Sequence, residues 1–281
     1  SIPKTPSSTM QHVGVILWYD QQEELSDPYF MEIRQGIEES ADAHGVRLST
    51  VYKTIKGTYD LSSLRNIDGL IALGKFSKQN VETFLKISKH IVFVDSSPDL
   101  IRFSSVIIDF RRSVKQVLNY ILNTKLRPIG YLGGYERVNS QVLYGERRKK
   151  FFLDALKKEN LYDPELIRNG YFKKESGYEL MSDILLRRRP RIVFCANDSI
   201  ALGALKAIHD KGLKVPEDIA IVGFNNNDES RFASPPLTTL NVPTRTMGKE
   251  AFMSLMEELS EPDKTRVKKV VPTHLMVRQS S

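Results

Sequence analysis

The strongest constraint on this chain is an alternation of apolar strand-type runs with helical stretches that starts over near its middle. "HVGVILW" (12–18), "GLIALG" (69–74), "HIVFVD" (90–95) and "SSVIID" (104–109) have the length and residue types of buried strands. "VRLSTVYK" (46–53) alternates, as a half-buried strand does, while 29–45, 77–88 and 112–125 repeat apolar residues at helical spacing. Past Arg127-Pro128 the series resumes with "PIGYLGG" (128–134), a helix over 145–160, a strand over 165–172 and a helix over 175–188. "RIVFCANDSIALGALKAIHDKG", from Arg191, adds a strand and a helix, and "IAIVGFN" (219–225) a further strand. A turn-rich "SPPLTTLNVP", a helix over 246–260 and a last strand near "VVPTHLMVRQ" complete it.

Apolar strands separated by helices of about 10–15 residues mean parallel sheets covered on both faces. The series is too long for one sheet. It predicts an α/β fold of two doubly wound parallel-sheet lobes with a ligand cleft between them. The expected division is 12–125 with 245–262 as one lobe and 126–244 with 263–281 as the other, after a linker over 1–11.

Composition agrees with two soluble lobes: 281 residues at roughly 150 per domain, 41% hydrophobic and 27% charged. One cysteine rules out an intramolecular disulfide. The apolar runs are strand-sized, well below the ~18–20 residues of a membrane span, so no membrane partner is expected. "SIPKTPSSTMQ" at the start is polar, with no apolar core, and reads as a linker rather than a signal peptide; the expected location is cytoplasmic. The net charge of +7 comes from short clusters, Arg111-Arg112, Arg147 to Lys150 and Arg187 to Arg191, whose ordinary explanation is a solvated helix face. The chain is not expected to grip DNA by itself.

Catalytic patterns are missing. "GLIALGKF" (69–76) nearly matches a phosphate loop, but Phe76 stands where a hydroxyl is needed and its variable positions are strand residues. No G-x-G-x-x-G follows the first strand, so no dinucleotide cofactor is implied. The five histidines are scattered without metal-ligand spacing. Cys195 sits inside an apolar strand as a small core residue. These readings point to a binding protein, not an enzyme.

Polar groups instead gather at strand ends: Asp109 after "VII", Asn197-Asp198 after "VFCA", and Asn225-Asn226-Asn227 after "IVGF". Arg148 shares the apolar face of its helix with Phe152 and Ala155, and a guanidinium there must reach a partner or a wet cleft. Trp18 closes the first strand, Tyr29 and Phe30 open the first helix, and Phe172 ends a later strand. Taken singly, the Asx residues can be helix caps and the aromatics core. Their coincidence suits a sugar.

"ANDSIALGALKAIHDKGLKVPEDIAIVGFNN" followed by "SPPLTTLNVP", with "SGYELM" and "GERRKKFFLDAL", resembles the effector-binding core of the LacI/GalR family of bacterial transcription regulators. The resemblance implies a periplasmic-binding-protein-like fold, a small-molecule effector and a homodimer. It also implies an N-terminal helix-turn-helix, outside this chain, through which operator DNA is bound. Arg148 matches the family's effector arginine, Asn197 its strand-end asparagine and Phe172 its covering aromatic. Tyr29 and Phe30 match the first-helix contacts, and Asp109 falls where the first lobe offers a polar side chain. Of the neighbouring pair, Asp198 is expected to cap the helix and Asn197 to face the effector. One departure stands out: Gly223-Phe224-Asn225 replaces the usual Gly-Phe/Tyr-Asp, an amide for a charged acceptor. The loop "WYDQQEELSDPYF" is similar to the galactose-repressor branch of Gram-positive bacteria, which makes galactose or a galactoside the first expectation for the effector. The alternative on the same fold is an extracytoplasmic solute-binding protein of a sugar transporter.

Overall fold

The computed structural model describes residues 11–138, 141–143 and 146–281, so all of the expected linker but Gln11 lies outside them. In chain order the first strands are β1 (His12–Leu17), β2 (Arg47–Tyr52), β3 (Gly69–Leu73), β4 (Ile91–Val94) and β5 (Ser104–Ile108). Then come β6 (Ile129–Gly134), a short hairpin of β7 (Glu136–Val138) and β8 (Gln141–Leu143), and β9 (Ile167–Gly170). The last are β10 (Ile192–Cys195), β11 (Ala220–Asn225), β12 (Thr238–Asn241), β13 (Lys268–Val271) and β14 (His274–Met276). The α-helices begin with α1 (Gln21–Ser26), α2 (Pro28–His44), α3 (Lys78–Leu85) and α4 (Phe110–Thr124). They continue with α5 (Arg147–Lys158), α6 (Lys174–Arg187), α7 (Asp198–Asp210), α8 (Asp228–Phe232) and α9 (Thr244–Ser260).

These elements form two units. The first runs through Gln21 and takes in Glu32–Ile107 and Arg245–Lys269; the second is Gln22–Met31, Ile108–Thr244 and Val270–Ser281. The expected pair of doubly wound parallel sheets is present, ordered β13-β5-β4-β3-β1-β2 and β14-β12-β11-β10-β6-β9. Both follow one plan. β2-β1-β3-β4-β5 and β9-β6-β10-β11-β12 are parallel throughout, and β14 is antiparallel to β12. The switch points, where strand order reverses and ligands bind in such sheets, fall between β1 and β3 and between β6 and β10.

The sheets are core. In the first unit Ile16, Leu70, Ala72, Ile91, Phe93 and Phe103 cover one face together with Val81 and Phe84 of α3. Helix pairs close in on glycine. A Cβ on Gly203 of α7 would overlap the Lys174 carbonyl oxygen, and one on Gly177 of α6 that of Ile200. Gly36 of α2 and Gly248 of α9 do the same in the first unit, against the carbonyls of Arg245 and Ile33. Bulk here separates two backbones rather than displacing a flexible side chain. Gly203→Ala is expected to lower stability by about 1–3 kcal/mol, the usual range for overpacking, as measured by urea unfolding.

The details differ from the sequence reading in three places. "SPPLTTLNVP" is not only turns: Thr238–Asn241 form β12, and Thr238 and Thr239 are buried. Their hydroxyls have partners there, which is what lets threonine sit inside a sheet. The last strand is two strands, since Pro272 cannot donate to a ladder; β13 joins the first sheet and β14 the second. Gln22–Met31 and α4 group with the second unit rather than the first, and residues 263–269 group with the first rather than the second.

Candidate functional site

The carboxyl edge of the second sheet is a row of helix N-termini, and the polar residues at the strand ends serve them first. Asn197 leaves β10 with extended backbone (φ −149, ψ 169), and its Oδ1 accepts the Ile200 N–H at 2.9 Å. Asn197, not Asp198, is therefore the cap of α7. A cap must sit outside the helix, and Asp198 is already the first helical residue. Asp198 turns inward instead, accepting the Asn227 N–H at 2.8 Å and the Thr239 hydroxyl at 2.6 Å. Burial, above all, pushes its carboxyl up to about 7, against the pull of the Thr239 and Asn227 hydrogen bonds and with the charge of Asp27 adding to the rise.

Asp109 caps α4, accepting the Arg112 N–H at 3.0 Å, and is exposed. Asn225 and Asn226 both have positive φ, 111 and 60, which asparagine tolerates better than most residues, and Asn227 caps α8 through the Ser230 N–H. Asn225 is buried, and its side-chain amide makes no hydrogen bond among the described residues. Asp27 precedes Pro28, the first residue of α2, and accepts the Tyr29 N–H at 3.3 Å. Its other oxygen accepts the Asn197 Nδ2 at 2.8 Å, so two helix caps hold each other.

Arg148 is the centre of this edge. It is the second residue of α5, and only 8% of it is exposed. Its Nε donates to Glu146 Oε1 at 2.5 Å and its Nη1 to the Ala196 carbonyl at the end of β10, beside the β6–β10 switch point. Nη2 makes no hydrogen bond among the described residues. Three rings surround the guanidinium: Phe110 at 5.7 Å, Phe172 at 5.2 Å and Phe224 at 5.1 Å from its carbon. Phe110 and Phe224 are nearly parallel, at 12° and 6.3 Å. Gly134 leaves the space that the Phe172 ring fills. A cation against ring faces is electrostatically favoured.

Glu146 supports the arginine. It caps α5 through the Arg148 and Lys149 N–H groups and accepts the Tyr131 hydroxyl at 2.8 Å. Burial works against its charge, but Arg148 outweighs it and the carboxyl lies below its usual range. Burial likewise opposes the guanidinium, and the charge of Glu146 leaves it raised.

Tyr29 and Phe30, in the second unit, pack edge to face at 4.9 Å. Trp18 belongs to the first unit, where its backbone N–H donates to the Leu73 carbonyl at 3.0 Å and Lys75 lies 5.7 Å from its ring. Sequence reasoning missed Asp27, Phe110, Glu146 and Phe224. Asp-Pro at a helix start and Glu two residues before the buried arginine were the available signals for two of them. Cys195 is buried and its thiol is pushed well up by burial. Among the described residues no cluster of His, Cys, Asp and Glu could hold a metal ion, and no helix is long and apolar enough to cross a membrane.

Comparison with known proteins agrees with this architecture. Residues 118–281 match the periplasmic binding protein-like domain. The HTH-type transcriptional repressor MelR of Bacillus subtilis (strain 168) is 32% identical over 277 residues, 95% of this chain and 78% of MelR. The HTH-type transcriptional regulator GalR of Lacticaseibacillus casei is 30% identical over 273 residues, covering 96% and 82%. A solved LacI transcriptional regulator from Bacillus cereus subsp. cytotoxis NVH 391-98 superposes with a TM-score of 0.83 at 26% identity, over 97% of this chain and 99% of that one. With its two sheets of one plan and these relatives, the chain belongs to the LacI/GalR family of transcriptional regulators, as an effector-binding core.

Proposed function

We propose that this chain senses a small neutral sugar, galactose-like as a first assignment, for a transcriptional repressor. The observation that carries the reading is Arg148, a buried guanidinium with Nη2 uncommitted among the described residues and three phenylalanine rings around it. A sugar hydroxyl accepts from Nη2 while C–H faces of the ring pack on the aromatics. Glu146 already balances the charge, so the arginine offers direction more than net charge, which favours a polyol over a phosphate. The uncommitted Asn225 amide, Tyr29, Phe30, Asp109, Phe172, Asn197 and, from the first unit, Trp18 are the remaining proposed effector contacts.

Effector binding shifts a conformational equilibrium by its differential affinity for the two states. A homodimer, acting in the cytoplasm, passes that shift to helix-turn-helix headpieces at half-site spacing on operator DNA. Thermal unfolding with neutral hexoses and disaccharides, their 6-phosphates and purines tests the reading. A neutral sugar at about 100 times its Kd adds roughly 2.7 kcal/mol, a midpoint rise of about 5–10 °C. Stabilisation by purines alone, or by phosphates alone, overturns it.

A further inference from the structure

Position 225 poses a problem that the second unit answers elsewhere. The resemblance gives that position a carboxylate, and here it is an amide. Asp27 brings a carboxylate to the same edge. It stands between α1 and α2 and is hydrogen-bonded to Asn197, the cap of α7. The residue as a whole is half-buried, and burial is the largest influence on its carboxyl and raises it. The Asn197 and Tyr29 hydrogen bonds and the Arg148 charge pull the other way.

Among the described residues two donors reach Asp27, Asn197 Nδ2 and the Tyr29 N–H, one on each oxygen. A carboxylate has about four acceptor positions, so acceptor capacity remains on both. The charges around it are unbalanced. Arg148 faces Glu146 directly and acts electrostatically with Asp27 and Glu136. Asp198 lies within electrostatic reach of Asp27, and Arg278 of Asp198. An anion seated against Arg148 would meet Asp27 as well.

We propose that Asp27 is the acceptor through which the site reads its effector, in the part the resemblance gives to residue 225, and that it selects uncharged or amine-bearing polyols over anionic ones. The proposal rests on the sugar reading above and adds to it the residue and the charge rule. Asp27→Asn is the informative variant, because it keeps the size and one of the two hydrogen bonds while removing the charge.

The experiment is calorimetric titration of both proteins with free hexoses and disaccharides, their 2-amino counterparts and their 6-phosphates. Unfolding without sugar first verifies that the variant is folded. The wild type is expected to bind free and amino sugars and not phosphates. Asp27→Asn is expected to lose about 10–100-fold for the free sugar, with a larger loss for the amino sugar. Equal affinities in the two proteins overturn the proposal and leave the sugar reading standing. So does an equal loss across all classes, which marks Asp27 as a structural clasp alone. Tightest binding of a 6-phosphate by the wild type also overturns the proposal. No binding by the wild type in any class overturns the sugar reading, and this proposal with it.

Discussion

Arg148→Met is expected to cost about 3–5 kcal/mol of stability, the usual result of stranding one member of a buried ion pair, and to abolish binding of the proposed sugar. The guanidinium is the charge that holds Glu146, which is 5% exposed and sits under the start of α5. Methionine fills much of the space between the phenylalanines but leaves a buried carboxylate that, among the described residues, keeps only the Tyr131 hydroxyl and backbone N–H groups. It also leaves the Ala196 carbonyl without its donor. Adding Glu146→Gln to Arg148→Met removes the stranded charge, and the double variant is expected to recover more than half of the loss in urea unfolding. A double variant as unstable as the single one would locate the cost in lost packing instead. Neither variant is expected to bind the proposed sugar, because neither restores Nη2.

The second large effect is a pH dependence. Asp198 is pushed up to about 7 in the folded protein, first by burial. In the unfolded chain its value returns to about 3.9. Between these values the folded state holds a proton that the unfolded state has lost. Stability from this group therefore falls as pH rises through the window and levels off above about 7. Asp198→Asn imitates the protonated acid and removes that dependence. Between pH 8 and pH 5.5 the wild type is expected to gain about 2 kcal/mol relative to the variant, as read from urea unfolding at each pH. Parallel profiles would mean that Asp198 stays ionised across the range.

What could be read from residues alone was the repeated pattern: apolar strands of the right length, helices at the right spacing, and a restart at Pro128. β12 escaped because its identity lies in buried threonines behind two prolines, and threonine declares itself only through partners such as Asp198 and Arg278. Arg148 was visible because a cation on an apolar helix face has to be explained. Its aromatic walls were not, because Phe110 and Phe224 come from separate strand ends, and nothing local says that they stack. That Asn197 rather than Asp198 caps α7 has a similar cause. Both side chains can cap, and the choice depends on where extended backbone stops, a boundary that sequence leaves uncertain by more than one residue.

The late strands bear on how the protein is made. Domains generally fold in the order in which they leave the ribosome. Here the first unit waits for α9 and for β13, which ends at Val271, while the second waits for β14, which begins at His274. Both sheets therefore gain their final edge strand almost together, within a few residues of synthesis. A chain cut short before Lys268 yields two unfinished sheets, not one finished domain and a missing one.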